Sequence, residues 1–158
     1  MQQTDDQNTG RPETEPYFSK TDWPFYWITQ TSNQYNMVME QRLKAEGLDI
    51  TYWRVLMSVY EEPALSVSEI ARLCIIKLTT ATKIVQRMAA QGLVTTAPRQ
   101  TDGRVTEVTL TSEGHQLRRK ARAVADEIFR AVFDDMSREE KMVMNLLLEK
   151  VFHKLGDL

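Results

Sequence analysis

The stretch from Ser66 to Leu110 constrains this chain more than any other part of it. Ser66-Val67-Ser68-Glu69 is a capping box, in which the Ser hydroxyl and the Glu carboxylate each satisfy a backbone N–H left open at a helix start. It launches a short helix expected to bury Ile70, Ala71 and Leu73. After a break at residues 75–77, a second helix is expected over residues 78–91, closed by Gly92 where a helix end favours positive φ. The β-prone runs 93–96 and 107–110 follow, and Thr101-Asp102-Gly103 between them supplies the turn of a hairpin.

Two short helices joined tightly and followed by a hairpin have the layout of a winged helix-turn-helix, whose second helix enters a major groove. On a wheel at 100° per residue, Leu78, Ala81, Ile84, Val85, Met88 and Ala89 of that helix fall on one apolar arc of about 140°. Thr79, Lys83, Gln86, Arg87 and Ala90 take the opposite arc, with Thr80 beside them. That outer face offers hydroxyl, amide and cationic donors and no carboxylate, which suits phosphates and base edges. An ordinary solvated helix face mixes Glu with Lys, whereas residues 70–101 contain no acid at all.

Charge agrees once it is read by position. The whole chain of 158 residues carries a formal net charge of −2, weak evidence against a nucleic-acid binder. Residues 1–22, however, carry −3, and residues 70–106 carry +5 from Arg72, Lys77, Lys83, Arg87, Arg99 and Arg104 against Asp102 alone. Double-stranded DNA is therefore the expected partner, contacted by Lys77, Thr79, Thr80, Lys83, Gln86, Arg87 and Arg99. Arg104 at the hairpin tip is expected to reach a minor groove, with Asp102 bracing the wing.

The flanking segments read as helices. Residues 1–21, rich in Gln, Thr, Asp, Glu and Pro, read as a flexible acidic arm. Asp22-Trp23-Pro24 looks like a helix start, and that helix is expected to run to about Glu46, with Gly47 ending it. Thr51 is taken to open the next helix, which Pro63 stops. Thr111 caps a long helix bearing Leu117, Ala121, Val124, Ile128, Val132 and Phe133. Ser137-Arg138-Glu139-Glu140 is a second capping box, and it starts a helix with the stripe Val143, Leu146, Leu147, Val151 and Leu155. That stripe is too isolated to be covered within one protomer, which favours a homodimer. The expected organisation is mainly α with a small β-hairpin wing. A winged helix-turn-helix lobe spans 48–110, and helices of 22–47 and 111–158 form a dimerisation region.

The chain resembles the MarR-type winged-helix transcription regulators. The resembling pieces are Thr51-Tyr52-Trp53-Arg54-Val55-Leu56, Ser66-Val67-Ser68-Glu69-Ile70-Ala71, Gly92-Leu93-Val94, Asp102-Gly103-Arg104 and Leu110-Thr111-Ser112-Glu113-Gly114. The resemblance implies a homodimer whose first and last two helices interlock, reading a pseudo-palindromic operator with half-sites about 34 Å apart. It also implies a repressor released by a small, often aromatic, acid bound between the dimer helices and the DNA lobe. Candidate contacts for such a ligand are Trp23, Tyr26, Trp27 and Trp53, with Arg54 as carboxylate anchor and His115 beside them.

Other classes fit less well. Two histidines, no Gly-rich phosphate loop and no paired-carboxylate or nucleophile motif argue against an enzyme, and no cofactor or metal is expected. A single cysteine, Cys74, excludes a disulfide framework and zinc sites built on several thiolates. Redox sensing through Cys74 is an alternative, weakened by its apolar neighbours Ile75 and Ile76. The other alternative is a winged-helix protein-interaction module without specific DNA binding. With no apolar run approaching about 20 residues and a polar N-terminus, no membrane partner is expected and the location is taken as cytoplasmic.

Overall fold

A computed structural model describes residues 19–158, so most of the acidic arm lies outside the described residues. The chain divides into two compact units, one ending at Tyr35 and the other spanning Asn36–Leu158. In the first, residues Lys20–Asp22 form a single 3-10 turn, so Asp22 closes that turn instead of capping the next helix. Helix α1 is Pro24–Lys44, starting at the proline as expected. Gly47, at φ +71°, takes the left-handed backbone that ends the segment.

In the second unit α2 is Ile50–Glu61. Its cap is Asp49, whose side chain accepts from the Tyr52 backbone N–H at 2.8 Å, and not Thr51. Helix α3 (Val67–Leu73) has both bonds of the Ser66–Glu69 capping box. Its Ile70 and Ala71 are buried, but Leu73 is exposed: a helix this short turns only one narrow face inward. Helix α4 is Leu78–Ala90 and Gly92 follows at φ +71°. Helices α5 (Ser112–Phe133) and α6 (Arg138–Gly156) begin at the expected caps, Thr111 and the Ser137–Glu140 box.

The sheet has three strands where the sequence suggested two. β1 (Leu65–Ser66), β2 (Val94–Arg99) and β3 (Asp102–Leu110) are antiparallel in the order β1-β3-β2. β1 pairs Leu65 with Val108 and Ser66 with Glu107. Two residues are too few for an alternation pattern to show, and Ser66 was already assigned as a helix cap. It does both jobs. The hairpin strands also run further than the β-prone residues, leaving only Gln100 and Thr101 at the tip and placing Asp102 within β3. Pro98 is tolerated because β2 is an edge strand, and the register shifts between Pro98 and Arg99.

The core draws on the last turns of α1, on α2 to α5 and on the three strands. Met39, Leu43, Val55, Leu56, Ile70, Met88 and Val108 are its largest fully buried side chains. α5 packs on α2 and the wing through Ala121, Ile128 and Gly114, the last so close that a Cβ there would collide with the Leu93 carbonyl. α6 has no buried residue, and Val143, Leu146, Leu147 and Leu155 are all exposed.

Candidate nucleic-acid interface

Helix α4 buries Ala81, Ile84, Val85 and Met88 and turns Thr79, Thr80, Lys83, Gln86, Arg87 and Ala90 to solvent. The wheel thus places every outer-face residue correctly. It errs at Leu78, expected on the buried arc but 53% exposed, because the first turn of α4 projects beyond the core. Lys77 is the N-cap residue, extended and without a side-chain cap bond. The Arg87 guanidinium lies over the Tyr52 ring, 5.8 Å from its centroid, which anchors one edge of this face to α2. Burial pushes the Tyr52 hydroxyl above its usual range, against the lowering effect of nearby Arg87.

The wing presents two arginines in different situations. Arg104 is 91% exposed in its side chain and held at the tip by Asp102. Its Nε and backbone N–H both lie 3.1 Å from Asp102 Oδ1, and Nη2 lies 3.2 Å from Oδ2. These bonds, with the side-chain contact foremost, hold the Asp102 carboxyl below the usual range. The guanidinium is therefore oriented while most of its surface stays open. Arg99, expected among the DNA contacts, is placed otherwise. Its Nε donates to Glu107 at 2.6 Å, and its Nη2 donates to Glu69 at 3.2 Å and to the Ala64 carbonyl at 3.5 Å. Two carboxylates already occupy this guanidinium, which makes it a strut at the wing base.

Glu69 is the centre of that strut. Its Oε2 accepts the Ser66 backbone N–H at 2.7 Å as well as Arg99. Bonds with Ser66 first, and the Arg99 contact after them, hold its carboxyl down at about 2. Sequence reasoning found Glu69 as half of a capping box but missed its second partner. Arg99 and Glu107 are not opposite each other in the hairpin, where Glu107 pairs with Ala97 and Arg99 with Asp102, so the contact is diagonal and strand pairing alone does not reveal it.

The residues proposed for a small ligand fall in both units. In the first unit, Trp23 meets Phe25 edge-on at 5.7 Å and Tyr26 meets Trp27 at 5.1 Å, while Trp27 Nε1 donates to the Thr21 carbonyl. In the second, Trp53 is a core residue, not an accessible pocket ring, because α2 turns it inward with Leu56. Arg54 is exposed and donates to Asn36 Oδ1 at 3.0 Å. His115 is half-buried, edge-on to Tyr60 at 6.1 Å. Over the same Tyr60 ring stacks Arg118, 3.8 Å from the centroid, with its Nε buried and lacking an acceptor among the described residues. Tyr60 and Arg118 were not foreseen. The spacing of His115 and Arg118, one helical turn apart, was the signal for them.

Cys74 is buried, 3.8 Å from Ser58 Oγ, and burial pushes its thiol pKa up, the reverse of what a reactive cysteine needs. Among the described residues there is no cluster of three metal-binding side chains, and no helix is long and apolar enough to cross a membrane.

Comparison with known proteins agrees with this geometry. The MarR family model matches residues 46–105, which run from just before α2 into the first part of β3. The HTH-type transcriptional repressor IacR of Pseudomonas putida is 43% identical over 141 residues, covering 89% of this chain and 84% of the relative. In fold, the chain matches Staphylococcus aureus MepR in its DNA complex, with a TM-score of 0.76 at 19% identity over 87% of this chain and 99% of that one. It also matches Bordetella bronchiseptica BpsR, whose DNA binding is regulated by 6-hydroxynicotinic acid, with a TM-score of 0.74 at 20% identity over 87% and 97% of the two chains. A helix-turn-helix with an acid-free reading face, a braced wing and a repressor at this level of identity settle the family: the chain belongs to the MarR family of winged-helix transcriptional regulators.

Proposed function

We propose that this regulator is a homodimeric repressor that reads a pseudo-palindromic operator through α4 and Arg104, and that a small carboxylated ligand releases it. The observation that carries the reading is the outer face of α4, where Lys83, Gln86 and Arg87 stand exposed with no carboxylate between them. Base contacts are assigned to Thr79, Thr80, Lys83, Gln86 and Arg87, phosphate contact to Lys77, and minor-groove contact to Arg104 with Asp102 as its brace. Dimerisation is assigned to the terminal helices, because α6 exposes Val143, Leu146, Leu147 and Leu155 on an element with no buried residue of its own. The assigned regions are 22–47 and 111–158 for dimerisation and 48–110 for DNA. The protein is read as cytoplasmic and without catalytic activity.

An acidic effector is supported by the Tyr60–His115–Arg118 cluster. A buried guanidinium N–H without an acceptor is costly, and a carboxylate would supply one. That BpsR responds to an aromatic carboxylic acid fits this chemistry. Trp23, Tyr26, Trp27 and Arg54 remain assigned as further contacts by their residue chemistry, and Trp53, as a core residue, is not.

Selection of genomic fragments by the purified protein tests the reading. We expect a few recovered sequences sharing an inverted repeat, bound with an affinity that falls steeply with salt, as counterion release requires. Recovery of random fragments, with a shallow salt dependence, would instead identify a protein-interaction module.

A further inference from the structure

The first turn of α4 combines features that a free helix end does not need. Leu78 opens the helix and is 53% exposed, with exposed Lys77, Thr79 and Thr80 around it. The backbone N–H groups of Thr80 and Ala81 turn back to the Lys77 carbonyl, at 2.9 and 3.0 Å. The positive helix end is unmasked, since the first turn has no acidic residue. An exposed branched aliphatic group thus sits inside a cationic, hydroxyl-bearing surface.

That combination excludes most partners. An apolar protein groove would leave Lys77 and the helix end uncompensated, and an acidic one would leave Leu78 without an apolar contact. A DNA major groove answers both, since phosphates line its edges and the thymine 5-methyl is the apolar group among its base edges. The N-terminal residues of a reading helix are the ones that meet those edges. The geometry points to Leu78 as a specificity-determining residue that packs on a thymine 5-methyl group in each half-site. This rests on the DNA-binding reading above and deepens it.

Deoxyuridine scanning tests the contact, because it deletes the methyl and leaves every hydrogen-bonding group of the base in place. In a selected operator duplex, one thymine of each half-site is expected to be sensitive. Its replacement weakens binding about fourfold per methyl, the ratio that burial of one such group carries. Leu78→Ala should bind the thymine and deoxyuridine duplexes equally. Its fold is checked by thermal unfolding, and the scan with the parent protein stands without it. If no thymine is sensitive, or if Leu78→Ala keeps the full deoxyuridine penalty, the assignment is overturned. Failure of the parent to select any duplex would overturn the DNA-binding reading first, and that outcome is distinct from specific binding indifferent to methyl groups.

Discussion

Arg99 Nη2 and Glu69 Oε2 lie 3.2 Å apart, although 30 positions of sequence separate them, and this contact joins the wing base to the start of α3. With the Arg99–Glu107 bond it makes a three-residue bridge at half-exposed positions, so its worth is modest. We expect Arg99→Ala to lower the unfolding midpoint only slightly, as solvent-screened pairs do. If Arg99 is a strut, the variant binds operator more weakly while its salt dependence stays unchanged. A direct phosphate contact would instead reduce the salt slope by about 1.

The same bridge makes stability depend on acid. Glu69 titrates at about 2 in the folded protein, below its ordinary range. Across the interval from there up to the ordinary carboxylate range, the unfolded chain binds more protons than the folded one. Stability from this group is therefore present above that interval and lost as pH falls through it. Unfolding midpoints should show the parent ahead of Glu69→Gln at neutral pH and the two converging near pH 2. A constant gap at every pH would remove the carboxylate as its cause.

Most of the site was legible because periodicity and caps are local signals. Lys83, Gln86 and Arg87 followed from an amphipathic wheel, and Ser66, Thr111 and Ser137 from their spacing to a helix start. What escaped depended on long-range partners. Arg99 has the same chemistry as Arg104, and only the carboxylates of Glu69 and Glu107 distinguish a strut from a free donor. Trp53 resembled a pocket ring because aromatic residues at helical spacing serve cores and pockets alike. Leu78 fitted the apolar arc, but a wheel knows nothing of where the neighbouring core stops.

Reading residues and wing are separable by experiment. Lys83→Ala and Arg87→Ala should each weaken operator binding by about 1–3 kcal/mol if they bond base edges, and relax specificity at one position. Arg104→Ala should lower affinity and leave the oligomeric state untouched, since among the described residues its side chain bonds Asp102 at the tip and is otherwise open. Titration of labelled duplex, with sedimentation of the free protein, reads both quantities. Dissociation of Arg104→Ala into monomers would make that arginine structural.

Gly114 supports the junction of wing and α5. Its backbone is ordinary, but a Cβ would run into the Leu93 carbonyl oxygen, a backbone atom that cannot swing aside. That carbonyl also accepts the Thr111 N–H at 3.1 Å, so moving it disturbs the cap of α5. Gly114→Ala is expected to destabilise by about 3 kcal/mol, the upper range for overpacking. Denaturant unfolding gives the value directly, and a loss under about 0.5 kcal/mol, the scale of surface substitutions, would show that the junction yields easily.

Helix α3 ends in a motif that favours glycine and carries isoleucine instead. The Ile75 N–H reaches the Arg72 carbonyl at 3.2 Å and the Ile76 N–H reaches that of Ala71 at 3.0 Å, the two bonds of a Schellman cap. Ile75 is thereby held at φ +53°, where a β-branched side chain crowds its own backbone, and that side chain is 74% exposed. Left-handed backbone costs an L-residue about 1–2 kcal/mol, part of which glycine returns through its freer unfolded chain. Ile75→Gly is therefore expected to stabilise the fold by about 0.5–1 kcal/mol, read as a higher denaturant midpoint with an unchanged slope. Ile75→Asn should fall between the two, because asparagine tolerates this region better than a branched side chain. A lower midpoint for both variants would mean that the isoleucine side chain, despite its exposure, contributes packing that outweighs the backbone strain.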